Sequence, residues 1–180
     1  MTQEEVIKKV VAGLESCGIP YMLTGAIAVN YYGRPRLTHD IDIIVEVKIE
    51  KARELIITFE DEFYISLDGV LDAIQNHTVF NLIHHQTGLK IDCWILKDDE
   101  FDQMRFSRRQ RCYIFDQEMF ISSPEDLILM KLCWYKDSGS EKHLLDVRGI
   151  YQIQSGKLNK QYLESWAQKL SVKDLLPSIT

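Results

Sequence analysis

Residues 40–47, DIDIIVEV, constrain the fold of this chain more than any other segment. Their β-branched residues predict a strand. Because side chains alternate along a strand, Asp40 and Asp42 are expected to face one side, with α-carbons roughly 6–7 Å apart. Two like charges beside an apolar strand repel each other and are costly to desolvate without a cation. The pair therefore predicts a site for a hard divalent cation, Mg²⁺ or Mn²⁺.

A third acid occurs in a similar setting. Asp92 lies within the apolar segment LKIDCWIL, where a charge is out of place. If this segment pairs beside residues 40–46, Asp92 completes a group of three carboxylates, which suits phosphoryl chemistry around one or two metal ions. The D-x-D pattern alone is weak, because aspartates at strand ends more often terminate strands or cap turns. The prediction rests on the three acids together.

The rest of the chain predicts a mixed architecture. Apolar residues at helical spacing predict helices at residues 3–17, 26–32, 49–59 and 67–75. Strands are expected at 21–24, 78–85 and 89–96, and a further hairpin at 111–121. From residue 123 onward the chain is expected to be helical, with caps at Ser123, Ser140 and Asn159. The predicted fold class is α/β (α+β): a mixed β-sheet flanked by helices, with an α/β core at 1–122 and a C-terminal helical portion at 123–180 packed on the same domain.

Composition limits the functional classes. A chain of 180 residues, 46% of them hydrophobic, fits one compact domain. The net charge of −6 disfavours general polyanion binding, so any phosphate recognition should be local. An acidic and lysine-rich N-terminus, together with the lack of an apolar run of roughly 20 residues, predicts a cytoplasmic protein without membrane association. The four scattered cysteines are expected to be reduced, mostly buried thiols, and zinc binding is improbable.

Several residues near the acids are candidates for phosphate contact. Thr24, Gly25 and Ala26 close a predicted strand and open a helix, where small residues let backbone N–H groups approach a phosphate. Arg34 and Arg36 precede the acids and could bind phosphate oxygens, although solvated surface charge explains them equally well.

Other polar residues have competing interpretations. Lys131, in an apolar helix, could contact a phosphate, reach the surface, or pair with Asp146 of the next helix. Thr38 is expected to shape its loop, and His39 to point away from Asp40. A basic cluster is expected to solvate a hairpin, with an RNA or nucleotide acceptor surface as the alternative; its members are Arg105, Arg108, Arg109 and Arg111.

The segment TGAIAVNYYGRPRLTHDIDIIV resembles the signature of the nucleotidyltransferase fold superfamily: a strand, a small-residue turn, a short helix, and an arginine–threonine loop into D-x-D. The spacing is similar to that of the minimal bacterial nucleotidyltransferases and the abortive-infection nucleotidyltransferase toxins. The later segments SPEDLILMKL and EKHLLDVRGIY are similar to the C-terminal helices of that group. The resemblance covers about residues 5–155.

The resemblance implies Mg²⁺-dependent transfer of a nucleoside monophosphate from an NTP to an acceptor hydroxyl. It implies that Asp40 and Asp42 are metal ligands and that Asp92 is the third acid, which helps to activate the acceptor. It also assigns Thr24 and Gly25 to the turn that holds the nucleotide, and it places Lys131 near the phosphates.

One position departs from this pattern. Ala26 stands where many relatives have a second glycine or a serine, and its methyl group is expected to crowd the phosphates. The rival hypothesis is therefore a binding or regulatory protein that keeps the fold but has lost turnover, such as one component of a toxin–antitoxin pair. The acceptor stays open among small molecules, protein side chains and RNA ends. A small helical protein or a second copy of the chain are the other partners considered.

Overall fold

The computed structural model describes residues 1–176 as an α/β fold of one mixed sheet with helices around it. Its strands are β1 (Tyr21–Leu23), β2 (Ile41–Val45), β3 (Phe63–Tyr64), β4 (Val79–His84), β5 (Lys90–Ile95), β6 (Gln110–Ile114) and β7 (Gln117–Ile121). Its α-helices are α1 (Gln3–Ser16), α2 (Gly25–Tyr32), α3 (Ala52–Phe59), α4 (Leu67–Asn76), α5 (Glu100–Ser107), α6 (Pro124–Ser138), α7 (Glu141–Gln154) and α8 (Lys160–Lys169). The predicted fold class is confirmed.

The order of the strands places β2 and β5 side by side near the middle of the sheet. The seven strands run β3-β4-β5-β2-β1-β7-β6. β2 pairs with β5 in parallel and with β1 in antiparallel orientation. β4 and β5 form an antiparallel hairpin, as do β6 and β7, so both predicted hairpins are present.

The two faces of the central strands have different environments. Ile41, Ile43 and Val45 of β2 belong to the main core, which also contains the buried stripe of α1. On the other face, a small cluster joins Met22, Ile44 and Leu96 to Phe106 of α5. Because residues alternate between faces, Asp42 and Asp92 lie on the face of this smaller cluster. The site therefore occupies the less heavily covered side of the sheet.

The C-terminal helices begin where their capping residues predict. The hydroxyl of Ser123 accepts a hydrogen bond from the backbone N–H of Asp126, with Pro124 in the first turn of α6. Asn159 caps α8 in the same way through the backbone N–H of Tyr162. Ser140 lies at the N-cap position of α7, but its side chain makes no capping hydrogen bond within the described chain, so that prediction is correct in place only.

Two elements were not predicted. α5 lies within a charged stretch, and its Asp99 cap binds the backbone N–H of Asp102. The second is β3, a strand of two residues at one edge of the sheet. Ser171 and Asp174 in the sequence predict a last turn before Pro177, and the structure has a short 3-10 segment there (Lys173–Leu175), whereas Pro177 itself lies outside the described residues. Within residues 1–176, no helix combines the length and the apolar character that crossing a bilayer requires.

Candidate active site

Two of the three predicted acids meet on neighbouring strands. Asp42 of β2 and Asp92 of β5 are register partners in the parallel pairing, so their side chains emerge side by side on one face. Both are partly buried. Asp40 precedes the first residue of β2 and is exposed. The predicted pairing of the two strands is therefore confirmed. Asp40, which was expected to be the first residue of the strand, lies instead at the end of the preceding loop.

Gly25 allows the carboxylate of Asp42 to lie against the first turn of α2. A Cβ atom placed on Gly25 would come within 2.2 Å of Asp42 Oδ2, and the backbone φ is +58°. Both the close approach and the left-handed backbone favour glycine. The N-terminal end of α2, with its unpaired backbone N–H groups, is consequently brought next to a metal-ligand candidate.

The environment of Asp42 disfavours the charged form of its carboxyl. Burial raises the pKa of its carboxyl, and the negative charges of Asp92 and Asp40 raise it further. The indole Nε1 of Trp94 opposes this shift by donating a hydrogen bond to Asp42 Oδ1 at 3.2 Å. Lys131 also acts in the opposite direction through its positive charge. A dication beside the three acids would remove the repulsion that raises this pKa.

Asp92 is held by two side chains that the sequence interpretation did not include. Asn81, its register partner on β4, donates a hydrogen bond from Nδ2 to Asp92 Oδ1. The ammonium of Lys90 forms an ion pair with the same oxygen at 2.9 Å. Period-two reasoning could have found Lys90, because it lies two positions before Asp92 on the same strand and therefore shares its face, whereas the contact of Asn81 depends on the pairing of β4 with β5.

The donor set fits a divalent cation without forming a closed cage. Within residues 1–176, no three His, Cys, Asp or Glu side chains are gathered closely enough to hold a metal ion. Two carboxylates are nevertheless in register, and the charge of Asp40 acts on Asp42. Carboxylate oxygens are the ligands that Mg²⁺ and Mn²⁺ prefer, and Mg²⁺ commonly takes only one or two of them, completed by waters and substrate phosphates.

A cleft opens beside these acids. It has a volume of about 220 Å³ and lies between the sheet, α5 and α6. Its lining residues are Thr24, Asp42, Ile44, Trp94, Ile95, Lys97, Asp102, Arg105, Met130 and Trp134. The hydroxyl of Thr24 is buried and has no hydrogen-bond partner among the described residues, which leaves a polar group free for a ligand. Ala26 is 4% exposed, so little of its methyl group reaches the surface.

Lys131 pairs with Asp146, which is one of the interpretations left open by the sequence. The two charged atoms lie 3.0 Å apart, and each side chain is 4% exposed. Burial lowers the pKa of Lys131, while Asp146 counteracts that effect. Arg36 donates to both oxygens of the same carboxylate, at 3.0 and 3.2 Å. Asp146 therefore connects the loop before β2 to helices α6 and α7; phosphate contact by Lys131 stays a prediction.

The loop between α2 and β2 is fixed at further points. Asn30 binds the backbone N–H and carbonyl of Arg36 at 3.0 and 2.9 Å. The hydroxyl of Thr38 accepts from the backbone N–H of Asp40 at 3.1 Å, so Thr38 shapes the loop as expected. Arg34 donates to Gln152 of α7 at 2.8 Å. Arg34 and Arg36 thus both make tertiary contacts, with Arg34 exposed and Arg36 partly buried, and phosphate contact by either arginine stays a prediction.

The basic cluster does not solvate a hairpin, and that prediction is wrong for most of its members. Arg105 is buried in α5 and bound to Asp102 at 2.7 Å. Arg108 pairs with buried Asp126 and stacks on Tyr162. Arg109 lies over the rings of Phe106 and Phe120. Arg111 alone of the four lies exposed on the hairpin, beside Glu118. These arginines join elements of the fold.

Comparisons with known proteins identify the fold. No protein-family model matches the sequence, and no curated protein matches it. Among solved structures, the chain is similar to an antigenic nucleotidyltransferase-like protein from Paracoccidioides brasiliensis, with 19% identity and a TM-score of 0.61 over 98% of this chain and 90% of the other. It is also similar to ANT(2'')-Ia in complex with adenylyl-2''-tobramycin, with 16% identity and a TM-score of 0.65 over 95% and 98% of the two chains.

A third similar structure is the lincomycin-bound lincosamide antibiotic adenylyltransferase LnuA, with 17% identity and a TM-score of 0.56 over 85% of this chain and 98% of the other. The chain has the nucleotidyltransferase fold. Within this nucleotidyltransferase fold, the pairing of β2 with β5 brings together the D-x-D segment and the third acid. The resemblance inferred from the sequence is confirmed at the level of the fold.

Proposed function

We propose that this protein is a nucleotidyltransferase that depends on Mg²⁺ or Mn²⁺ and transfers a nucleoside monophosphate from an NTP to an acceptor hydroxyl. The observation that carries the proposal is the in-register pairing of Asp42 with Asp92, with Asp42 both against the start of α2 and in the lining of a cleft. Strand-end aspartates that only terminate strands have no need of this convergence.

Each residue has a chemical role in the proposal. Asp40, Asp42 and Asp92 would hold the cation, which when bound neutralises triphosphate charge and favours in-line geometry. The backbone N–H groups at Gly25 and Ala26 and the free hydroxyl of Thr24 bind phosphate oxygens at the start of α2.

The group transfer itself uses the third acid as a base. Asp92 accepts the proton of the acceptor hydroxyl while the oxygen of that hydroxyl forms a bond to the α-phosphorus. The bond from the α-phosphorus to the bridging oxygen breaks, and pyrophosphate leaves. Catalysis then comes mainly from positioning and electrostatics.

The experiment is transfer of label from each of the four α-labelled NTPs in the presence of Mg²⁺. Because one similar structure is in complex with adenylyl-2''-tobramycin and another is a lincomycin-bound lincosamide antibiotic adenylyltransferase, tobramycin and lincomycin belong in the acceptor panel, together with RNA and the protein itself. We expect label transfer by the wild type and a loss of at least about 100-fold with Asp42→Asn, which removes one site charge at almost constant volume.

The matched control is Asp61→Asn, because Asp61 is an exposed acid before β3, three strands away from β2. This variant should retain wild-type transfer. Equal activity of Asp42→Asn and the wild type would contradict the proposal. Nucleotide binding without transfer to any acceptor would favour the rival hypothesis of a binding or regulatory protein.

A further inference from the structure

Lys90 places a positive charge directly on the third acid of the site. Its Nζ atom lies 2.9 Å from Asp92 Oδ1, and both residues belong to β5, two positions apart on the same face. The side chain of Lys90 is 55% exposed, whereas that of Asp92 is 21% exposed. The lysine therefore reaches the carboxylate from the solvent side.

Asn81 binds the same oxygen from the opposite strand. Its amide donates to Asp92 Oδ1 across the β4–β5 register pair. This neutral contact fixes the carboxylate without changing its charge. The two partners differ in mobility, because Lys90 is exposed and carries its ammonium on a flexible four-carbon stem, whereas Asn81 is short and partly buried within a strand.

The ammonium of Lys90 pairs with a carboxylate that a bound cation would also contact. The hydrogen bond to Asp92 raises the pKa of Lys90, and the charges of Asp92, Asp40 and Asp42 raise it further. The ammonium thus responds to all three acids. A dication bound to the same carboxylates would repel it over a few ångströms, so the two cations compete.

We propose that Lys90 is a displaceable counterion that pairs with Asp92 until a divalent cation binds, and that the free energy needed to displace its ammonium lowers the affinity of the site for that cation. The inference rests on the proposed function, because it takes Asp92 as part of the cation site. Asn81 keeps the carboxylate oriented while Lys90 leaves.

The test is the affinity of the isolated protein for Mn²⁺, measured by electron paramagnetic resonance without nucleotide. Lys90→Met should bind Mn²⁺ roughly three- to tenfold more tightly than the wild type, because one exposed positive charge beside the acids is removed. Lys90→Arg keeps the charge and should bind no more tightly than the wild type. Lys9→Met is the matched control, because it removes a lysine from another exposed ion pair, with Glu62, and should leave the affinity unchanged.

A second measurement follows the lysine itself. The ammonium nitrogen of Lys90 should give a nuclear magnetic resonance signal that is absent in Lys90→Arg and slowed in its exchange with water by the ion pair. Saturating Mg²⁺ should shift and broaden this signal, whereas that of Lys9 stays constant. An unchanged Lys90 signal at saturating Mg²⁺ would overturn the proposal.

The outcomes separate this inference from the proposed function. Suppose that Asp42→Asn abolishes Mn²⁺ binding, while Lys90→Met binds Mn²⁺ as tightly as the wild type or more weakly. The counterion role of Lys90 is then wrong, and the cation site stands. Equal tightening by Lys90→Met and Lys90→Arg would also overturn it, because charge would not be the cause. If neither the wild type nor Lys90→Met binds Mn²⁺, both proposals fail.

Discussion

At the scale of single residues, Gly25 is where backbone conformation and site chemistry meet. Two features of Gly25 favour glycine at this position. Its φ of +58° is a left-handed backbone conformation, and an added Cβ atom would lie 2.2 Å from Asp42 Oδ2. Either would favour glycine, and only the second concerns the acid. The residue thus connects the start of α2 to the carboxylate on β2.

Gly25→Ala should therefore destabilise the protein by more than backbone strain alone. The left-handed conformation costs a non-glycine residue roughly 1–2 kcal/mol, and the contact with Asp42 adds to it. The matched control is Gly88→Ala, because Gly88 has φ +68° and nothing lies within 4 Å of its added Cβ. Urea unfolding should show a greater loss for Gly25→Ala; equal losses would contradict the close contact.

The sequence predicted the acids better than their partners. Asp42 and Asp92 were found because charges are out of place in apolar strands, and their pairing is confirmed. Lys90 was overlooked because a lysine beside a turn is normally solvated. Asn81 was overlooked because its role depends on the β4–β5 register, which hairpin length alone did not fix. Local pattern identifies a costly charge, whereas its partner depends on strand pairing.

At the scale of elements, Asp146 joins three segments: the loop before β2, α6 and α7. Burial raises the pKa of its carboxyl, but hydrogen bonds from Arg36 and the charge of Lys131 outweigh that effect and hold the pKa below its ordinary value. Such a carboxylate stabilises the fold above its ordinary pKa, and this contribution is lost as pH falls through the lower, folded-state pKa.

Asp146→Asn should cost about 3–5 kcal/mol in the free energy of unfolding at pH 7, because it leaves Lys131 buried without its partner. The difference from the wild type should begin to shrink as pH falls below about 4, near the ordinary pKa of an aspartate, and should be lost as pH falls through the lower pKa of the folded carboxyl. Urea unfolding at pH 7 and at pH 3 measures both effects. A difference independent of pH would contradict the electrostatic explanation.

Two further variants provide comparisons for the loss of stability expected of Asp146→Asn. Lys131→Met should cost less than Asp146→Asn, because Asp146 keeps its two hydrogen bonds from Arg36. Glu62→Gln breaks the exposed pair with Lys9 and should cost no more than about 1 kcal/mol.

Helix α5 shows why one element escaped sequence reasoning. Polar and charged side chains together make up most of it, so its apolar periodicity is weak. Its tertiary contact comes from Phe106, which joins the small cluster over Ile44, while Arg105 and Asp102 form a buried ion pair within the helix. A buried ion pair looks the same in sequence as a solvated one. The hairpin at β6 and β7, by contrast, has a short turn with regular flanking strands and was predictable.

At the scale of the whole molecule, the strand order determines which residues meet at the candidate site. Because β2 lies between β1 and β5, the turn at Gly25, the acid Asp42 and the acid Asp92 come together from three distant parts of the sequence. The fold could be anticipated from the resemblance of residues 24–45 to the nucleotidyltransferase signature. The shape of the cleft beside the site could not be anticipated from the sequence, because its lining residues come from five separate segments of the chain.

We infer that Asp42 and Asp92 together hold a divalent cation beside the triphosphate of an NTP. The most direct measurement is a crystal structure with Mn²⁺ and a non-hydrolysable NTP analogue, using anomalous scattering to locate the metal. The account predicts a peak about 2.1 Å from oxygens of both carboxylates, with the triphosphate at the start of α2. A nucleotide bound elsewhere, or Mn²⁺ without contact to either acid, would contradict it.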